Sequence, residues 1–72
     1  MHPADRFALF AMAADELLTE NANRIADTDY RELAELIVKF ILDRKRDRAE
    51  ANMQRLDEWL SRFAMRLRAR PY

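Results

Sequence analysis

Arg48, Arg55, Arg62, Arg66 and Arg70 recur along the last third of the chain at intervals of four or seven residues. At about 100° per residue these intervals gather them on one line of an α-helix, with Trp59 among them. A guanidinium grips a carboxylate or a phosphate through two parallel hydrogen bonds and stacks on aromatic rings. Such a row is suited to holding an anionic surface. That surface is either the acidic face of another protein or a nucleic-acid backbone, with Trp59 stacked on an unpaired base.

Two further lines run beside the arginines. Ala49, Met53, Leu56, Leu60, Phe63 and Leu67 alternate at spacings of four and three, and Glu50, Asp57 and Glu58 fall mostly on the far flank. A helix striped in this way lies against other helices and sets their orientation by charge. The acids oppose long-range attraction of nucleic acid, and no groove-reading or base-reading motif is present. Arg55, Trp59, Arg62, Phe63, Arg66 and Arg70 are therefore the expected contact residues, since aromatic and Arg side chains commonly anchor protein interfaces. Trp59 with Arg55 or Arg62 is the expected cation–π pair.

Other chemistry is sparsely equipped. His2 is the single His, Ser61 the single Ser, Thr19 and Thr28 the two Thr, and Cys is absent. No nucleophile relay, thiolate site or disulfide follows from such a set. No Gly exists to build a phosphate loop. Asp15, Glu16 and Glu20 form an acidic cluster at helical spacing, but metal-binding bundles add a helical His, so a solvated face is expected. The expectation is a non-enzyme without cofactor, metal or small-molecule substrate.

The elements that place these residues are all helical. Pro occurs at positions 3 and 71 alone, and half of the residues are hydrophobic, so nothing interior breaks a helix. The expected helices span about 3–24, 29–44 and 48–69, the first ending between 20 and 26 where Asn21 and Asn23 fray or bend it. Phe7, Phe10, Ala11, Ala14, Leu17, Leu18 and Ile25 share the main face of the first helix, while Leu9 and Met12 point elsewhere. Asp29 with Glu32, and Asp47 with Glu50, have capping-box spacing. Tyr30, Leu33, Ala34, Ile37, Phe40 and Ile41 form the face of the second helix, and Leu36, Val38 and Leu42 widen it beyond half the circumference. An arc so wide asks for two neighbours, which predicts that the second helix is central. Its apolar phase slips against that of the third within 43–48, so a break is expected at 44–47, with a continuous helix as the alternative.

Seventy-two residues make at most one domain with a small core. The fold expected is all-α: a small three-helix bundle, or a hairpin with a long last helix, completed by crossed or antiparallel homodimerisation. Leu9, Met12, Leu36 and Trp59 are the residues that a second copy would cover. Residues 1–29 carry a net charge of −4 and residues 43–72 a net charge of +4 within a neutral total. The two ends are expected to attract each other within a bundle or across a dimer. Eleven of the thirteen basic residues are Arg, which suits a binding face but also follows from a GC-rich coding sequence. No span or signal segment is apparent, and a cytoplasmic location is expected. The functional expectation is a small regulator, adaptor or inhibitor docking on a larger protein, in the manner of a bacterial or phage-encoded modulator of host machinery. The alternative is a dimeric nucleic-acid binder using the Arg stripe.

Overall fold

The computed structural model describes residues 2–43 and 45–69, apart from the side chain of Arg46. Its elements are α1 (Pro3–Glu20), a 3-10 turn (Ala22–Arg24), α2 (Asp27–Leu42) and α3 (Arg46–Ala69). No strand occurs among the described residues. Arg70 and Pro71 lie outside them.

Local hydrogen bonds account for where each helix starts and stops. His2 caps α1, its Nδ1 accepting from the Ala4 N–H at 3.1 Å, and Pro3 stands at the first position, where its missing N–H leaves no bond unmade. α1 ends at Glu20, at the near limit of the expected 20–26. Asn21 stops it by donating both its backbone N–H and its Nδ2 to the Leu17 carbonyl, at 3.2 and 2.9 Å. A short amide side chain that bonds its own backbone competes with helix continuation in this way.

α2 begins two residues before the expected start at 29. Ala26 is the cap, and Asp29 works from inside the first turn, its Oδ2 accepting from the Ala26 N–H at 3.1 Å. This is the returning half of a capping box, with the carboxylate also favoured by the positive end of the helix. The interruption that follows lies between Leu42 and Arg46, slightly ahead of the expected 44–47. Asp43 closes α2 through its N–H to the Lys39 carbonyl at 3.0 Å. The Lys45 carbonyl opens α3 by accepting from the Ala49 N–H at 2.8 Å, and Arg48 bridges the gap to Asp43 at 3.1 Å.

The central helix is α3, which corrects the expectation that α2 would be. α1 and α2 each pack chiefly on α3 rather than on each other. The reason lies in the width of the α3 apolar arc. Met53, Leu56 and Phe63 are buried as its spacing implies, and Asn52 and Trp59 extend the buried arc toward the arginine flank. One edge then faces α1 and the other α2. Phe10 and Ala14 from α1 and Leu33 from α2 complete the buried hydrophobic core, and Phe7, Leu36, Ile37, Phe40 and Leu60 pack around it half-buried. Phe7 and Phe40 stack at 4.8 Å, the main aromatic link between α1 and α2.

Side-chain ties fix the directions. Asn52 meets Lys39, Trp59 meets Glu32 and Arg66 meets Asp29, so α2 runs antiparallel to α3. Arg6 meets Asp57 and Arg24 meets Leu67, so α1 runs parallel to it. The result is an up-down-up bundle. At about 1.5 Å per residue, α3 is roughly 36 Å long and accounts for most of the 41 Å long axis.

Candidate protein-docking surface

The expected contact residues divide into four groups. Trp59 and Phe63 are interior, at 3% and 1% exposure, with their rings stacked at 5.0 Å. As surface anchors both are corrected: the wide α3 arc turns them into the hydrophobic core. The indole N–H of Trp59 is satisfied by Glu32 Oε2 at 3.3 Å, which meets the requirement that a buried Trp find a polar partner. Arg66 is engaged within the chain. Its Nη2 donates to Asp29 Oδ1 at 3.0 Å, and its guanidinium lies 5.6 Å from the Phe63 ring centroid. The cation–π pair thus joins Arg66 and Phe63 instead of Trp59 with Arg55 or Arg62. Arg55 and Arg62 are exposed and make no ion pair among the described residues. Arg70 is outside the described residues.

Arg62, Arg66, Met65, Trp59 and Glu32 together line an open groove of about 490 Å³ between α2 and α3. Trp59 lines it at 3% exposure and Met65 at 67%. Arg62 also borders a second, flatter depression of about 410 Å³ with Gln54, Asp57, Glu58 and Ser61. It is therefore the ridge between two hollows on the outer side of α3. A methionine beside unpaired guanidinium is a suitable surface for a helix that carries both apolar and acidic side chains, because Met adapts its shape and Arg binds carboxylates bidentately. Met65 is not among the expected contact residues, and Glu32, expected as the capping-box partner of Asp29, instead accepts from Trp59 while Asp29 accepts from Ala26. Asp29 and Glu32, one turn apart on α2, were the available signal: they form the acidic edge that an arginine flank would meet.

Compared with known proteins, the chain matches no family model, no curated protein and no solved structure. Its surface therefore has to be read from its own chemistry.

The opposite flank of α3 seats α1. Arg6 Nη2 and Asp57 Oδ2 are 2.7 Å apart, with 36% and 46% of the two side chains exposed. Asp5, Asp15, Glu16 and Glu20 of α1 are exposed and make no ion pair among the described residues. The attraction between the acidic first segment and the basic last one is thus realised at Asp29–Arg66, while Arg6–Asp57 runs with the opposite sign. Leu36 and Trp59 are packed within the chain, and Leu9 and Met12 remain exposed at 56% and 71%. Among the described residues no group of three His, Asp or Glu is arranged to hold a metal ion, and no helix is long and apolar enough to cross a membrane.

Proposed function

We propose that this chain is a non-enzymatic helical interaction protein, a regulator, adaptor or inhibitor, which docks on a larger protein through the α2/α3 groove. The observation that carries the reading is Arg62, an exposed arginine without an ion pair among the described residues, placed between two hollows and beside exposed Met65. The complementary partner is an acidic amphipathic segment whose apolar residue rests on Met65 while a carboxylate engages Arg62. Nucleic-acid binding is less well supported. Trp59 is interior and offers no stacking face, and Glu32 places a carboxylate in the groove.

The test compares the wild-type chain with Arg62→Glu and with Arg55→Glu, each confirmed as folded by circular dichroism. Immobilised wild-type chain should retain one protein from a lysate of its source cells in near-stoichiometric amount, and Arg62→Glu should lose it. A gel-shift titration with duplex DNA and single-stranded RNA at two salt concentrations is the counter-test. Affinity for nucleic acid that falls steeply with salt and disappears in Arg62→Glu would overturn the docking reading.

A further inference from the structure

We infer that the α2/α3 groove of one chain takes α1 of a second copy, laid antiparallel to α3, and that a docking partner has to displace it. The inference rests on the groove reading above and adds its regulation. The outer face of α1 is the kind of acidic amphipathic segment which that groove suits. Asp5, Leu9, Met12, Glu16 and Glu20 follow one another at spacings of four, three, four and four residues, which gathers them within about 80° of a helix. Leu9 and Met12 are 56% and 71% exposed, and the three carboxylates are exposed with no ion pair among the described residues. Arg6, the one basic residue of α1, is turned aside to Asp57. The groove offers the complement, exposed Met65 beside Arg62, with Arg55 seven residues away on the same flank. α1 does not reach the groove of its own chain. Its inner face is spent on the core through Phe10 and Ala14, and Arg6 ties it to the acidic flank of α3, opposite the arginines. Its outer face therefore meets the groove of another molecule.

Axial spacing selects the direction. From Met12, Glu16 and Glu20 lie about 6 and 12 Å along α1, and from Met65, Arg62 and Arg55 lie about 4.5 and 15 Å along α3. Both series run from an apolar residue to two charges, up the numbering on α1 and down it on α3. Antiparallel contact with Met12 on Met65 therefore sets Glu16 within about 2 Å of the level of Arg62 and Glu20 within about 3 Å of that of Arg55, inside the reach of a guanidinium. A parallel contact with Leu9 on Met65 brings only Asp5 to Arg62 and leaves Arg55 without a carboxylate. Antiparallel pairing also opposes the helix dipoles. Glu32 and Glu58 border the arginines and accept from Trp59 and Gln54, at 3.3 Å each. Because Glu32 holds the α2 wall, the incoming carboxylates settle on the α3 side of the groove. The contact joins two unlike surfaces through one short helix face, so the association is weak and in rapid exchange with monomer.

Sedimentation velocity across a dilution series reads the mass. The 8.6 kDa monomer should dominate on dilution and give way to larger species at high concentration, less so as salt is raised. Glu16→Arg and Arg62→Glu, each as helical as wild type, should each weaken association about tenfold by turning an attraction into a repulsion. Glu20→Arg serves as the second α1 variant should Glu16→Arg unfold. An equimolar mixture of Glu16→Arg with Arg62→Glu should regain association, as should the double exchange in one chain. The absence of Cys permits single-Cys probes with a short bismaleimide. Met12→Cys and Met65→Cys should cross-link to each other in a mixture, and neither to itself. A monomer at every concentration overturns the inference, as does association that both charge variants leave unchanged or that their mixture fails to restore. Met12→Cys linking to itself as readily as to Met65→Cys overturns it too. Glu16→Arg, whose substitution lies outside the groove, tells the two readings apart. It should retain the lysate partner at least as well as wild type, whereas Arg62→Glu loses it. A monomeric wild type that still holds its partner through Arg62 sinks this inference alone, and partner retention indifferent to Arg62→Glu sinks the groove reading.

Discussion

Replacing Asp29 with Ala should loosen the start of α2 and its attachment to α3 together. The residue is 8% exposed, and its two oxygens serve different masters: Oδ2 accepts from the Ala26 N–H, and Oδ1 from Arg66. Loss of a first-turn cap costs about 1 kcal/mol. The ion pair adds less than a buried one would, because the Arg66 side chain is 51% exposed and solvent screens it, leaving about 0.5–1 kcal/mol. Ala26 is exposed, so water takes over its N–H and no further penalty arises. The sum is about 1.5–2 kcal/mol, against a total stability of roughly 4–11 kcal/mol for a chain of this length. For a domain this small the melting temperature should fall by about 6–16 °C. Urea unfolding followed by the fluorescence of Trp59, at concentrations where the chain is monomeric, is the assay. Asp29→Asn, which keeps an acceptor for Ala26 and loses the charge, should cost roughly half as much. A double-mutant cycle with Arg66→Ala should give a coupling of about 0.5–1 kcal/mol that shrinks in 1 M salt. If Asp29→Ala stays within about 0.5 kcal/mol of wild type, the range of an ordinary surface change, the capping and anchoring roles given to Asp29 are wrong.

Leu56→Ala, at a fully buried site of α3, should cost about 2–5 kcal/mol in the same assay; Leu42→Ala, at 77% exposure, should stay within about 0.5 kcal/mol in the monomer. Trp59→Phe should cost about 1 kcal/mol by giving up the indole bond to Glu32, with thermal unfolding followed by circular dichroism since the fluorophore is lost. Arg24→Ala removes the Nη2 donor that reaches the Leu67 carbonyl at 2.6 Å, and amide exchange in the last turn of α3 should quicken while that of α2 holds. Arg6→Asp should lower the melting temperature by opposing Asp57, and adding Asp57→Arg should restore it.

The three helices and most of their faces were legible from periodicity, because nothing but apolar spacing is needed to say that Phe10, Leu33 and Leu56 point inward. Ends were harder to place. Asn21 stops α1 through two bonds to one carbonyl, and Asp29 caps α2 from its third position rather than from the cap itself. Both residues were visible as polar punctuation, but their roles depend on which backbone group each side chain reaches. The largest miss was Trp59. Its wheel position falls between the apolar line and the arginines, and an amphipathic ring at such a border goes to whichever neighbour is present. Whether that neighbour is α2 of the same chain or a foreign surface is a tertiary fact. Assigning Trp59 to the surface narrowed the α3 arc, and the central place passed in error to α2. The groove was half legible for the same reason: Arg62 and Arg66 were found on their own helix, whereas Glu32 and Met65 matter through the meeting of two elements.

The charge stripes of α3 have a role that the apolar line cannot fill. A continuous apolar arc accepts either neighbour on either side, so burial alone leaves two arrangements of α1 and α2 around α3 close in energy. Charge separates them. The arginine flank meets Asp29 and Glu32 on α2, and the acidic flank meets Arg6 on α1. Exchanging the two neighbours would set Arg6 toward Arg55, the arginine at the level of Asp57, and would take Asp29 away from Arg66. Each exposed pair is worth about 1 kcal/mol or less, too little to hold the bundle together. Two pairs lost and one repulsion gained amount to roughly 1.5 kcal/mol, a bias of about tenfold between arrangements that bury the same surface. Arg55 and Arg62 lie on the same flank and make no ion pair among the described residues. Neither is held by an acid of the chain, and for this reason the docking proposal rests on the ridge at Arg62 rather than on the whole arginine row.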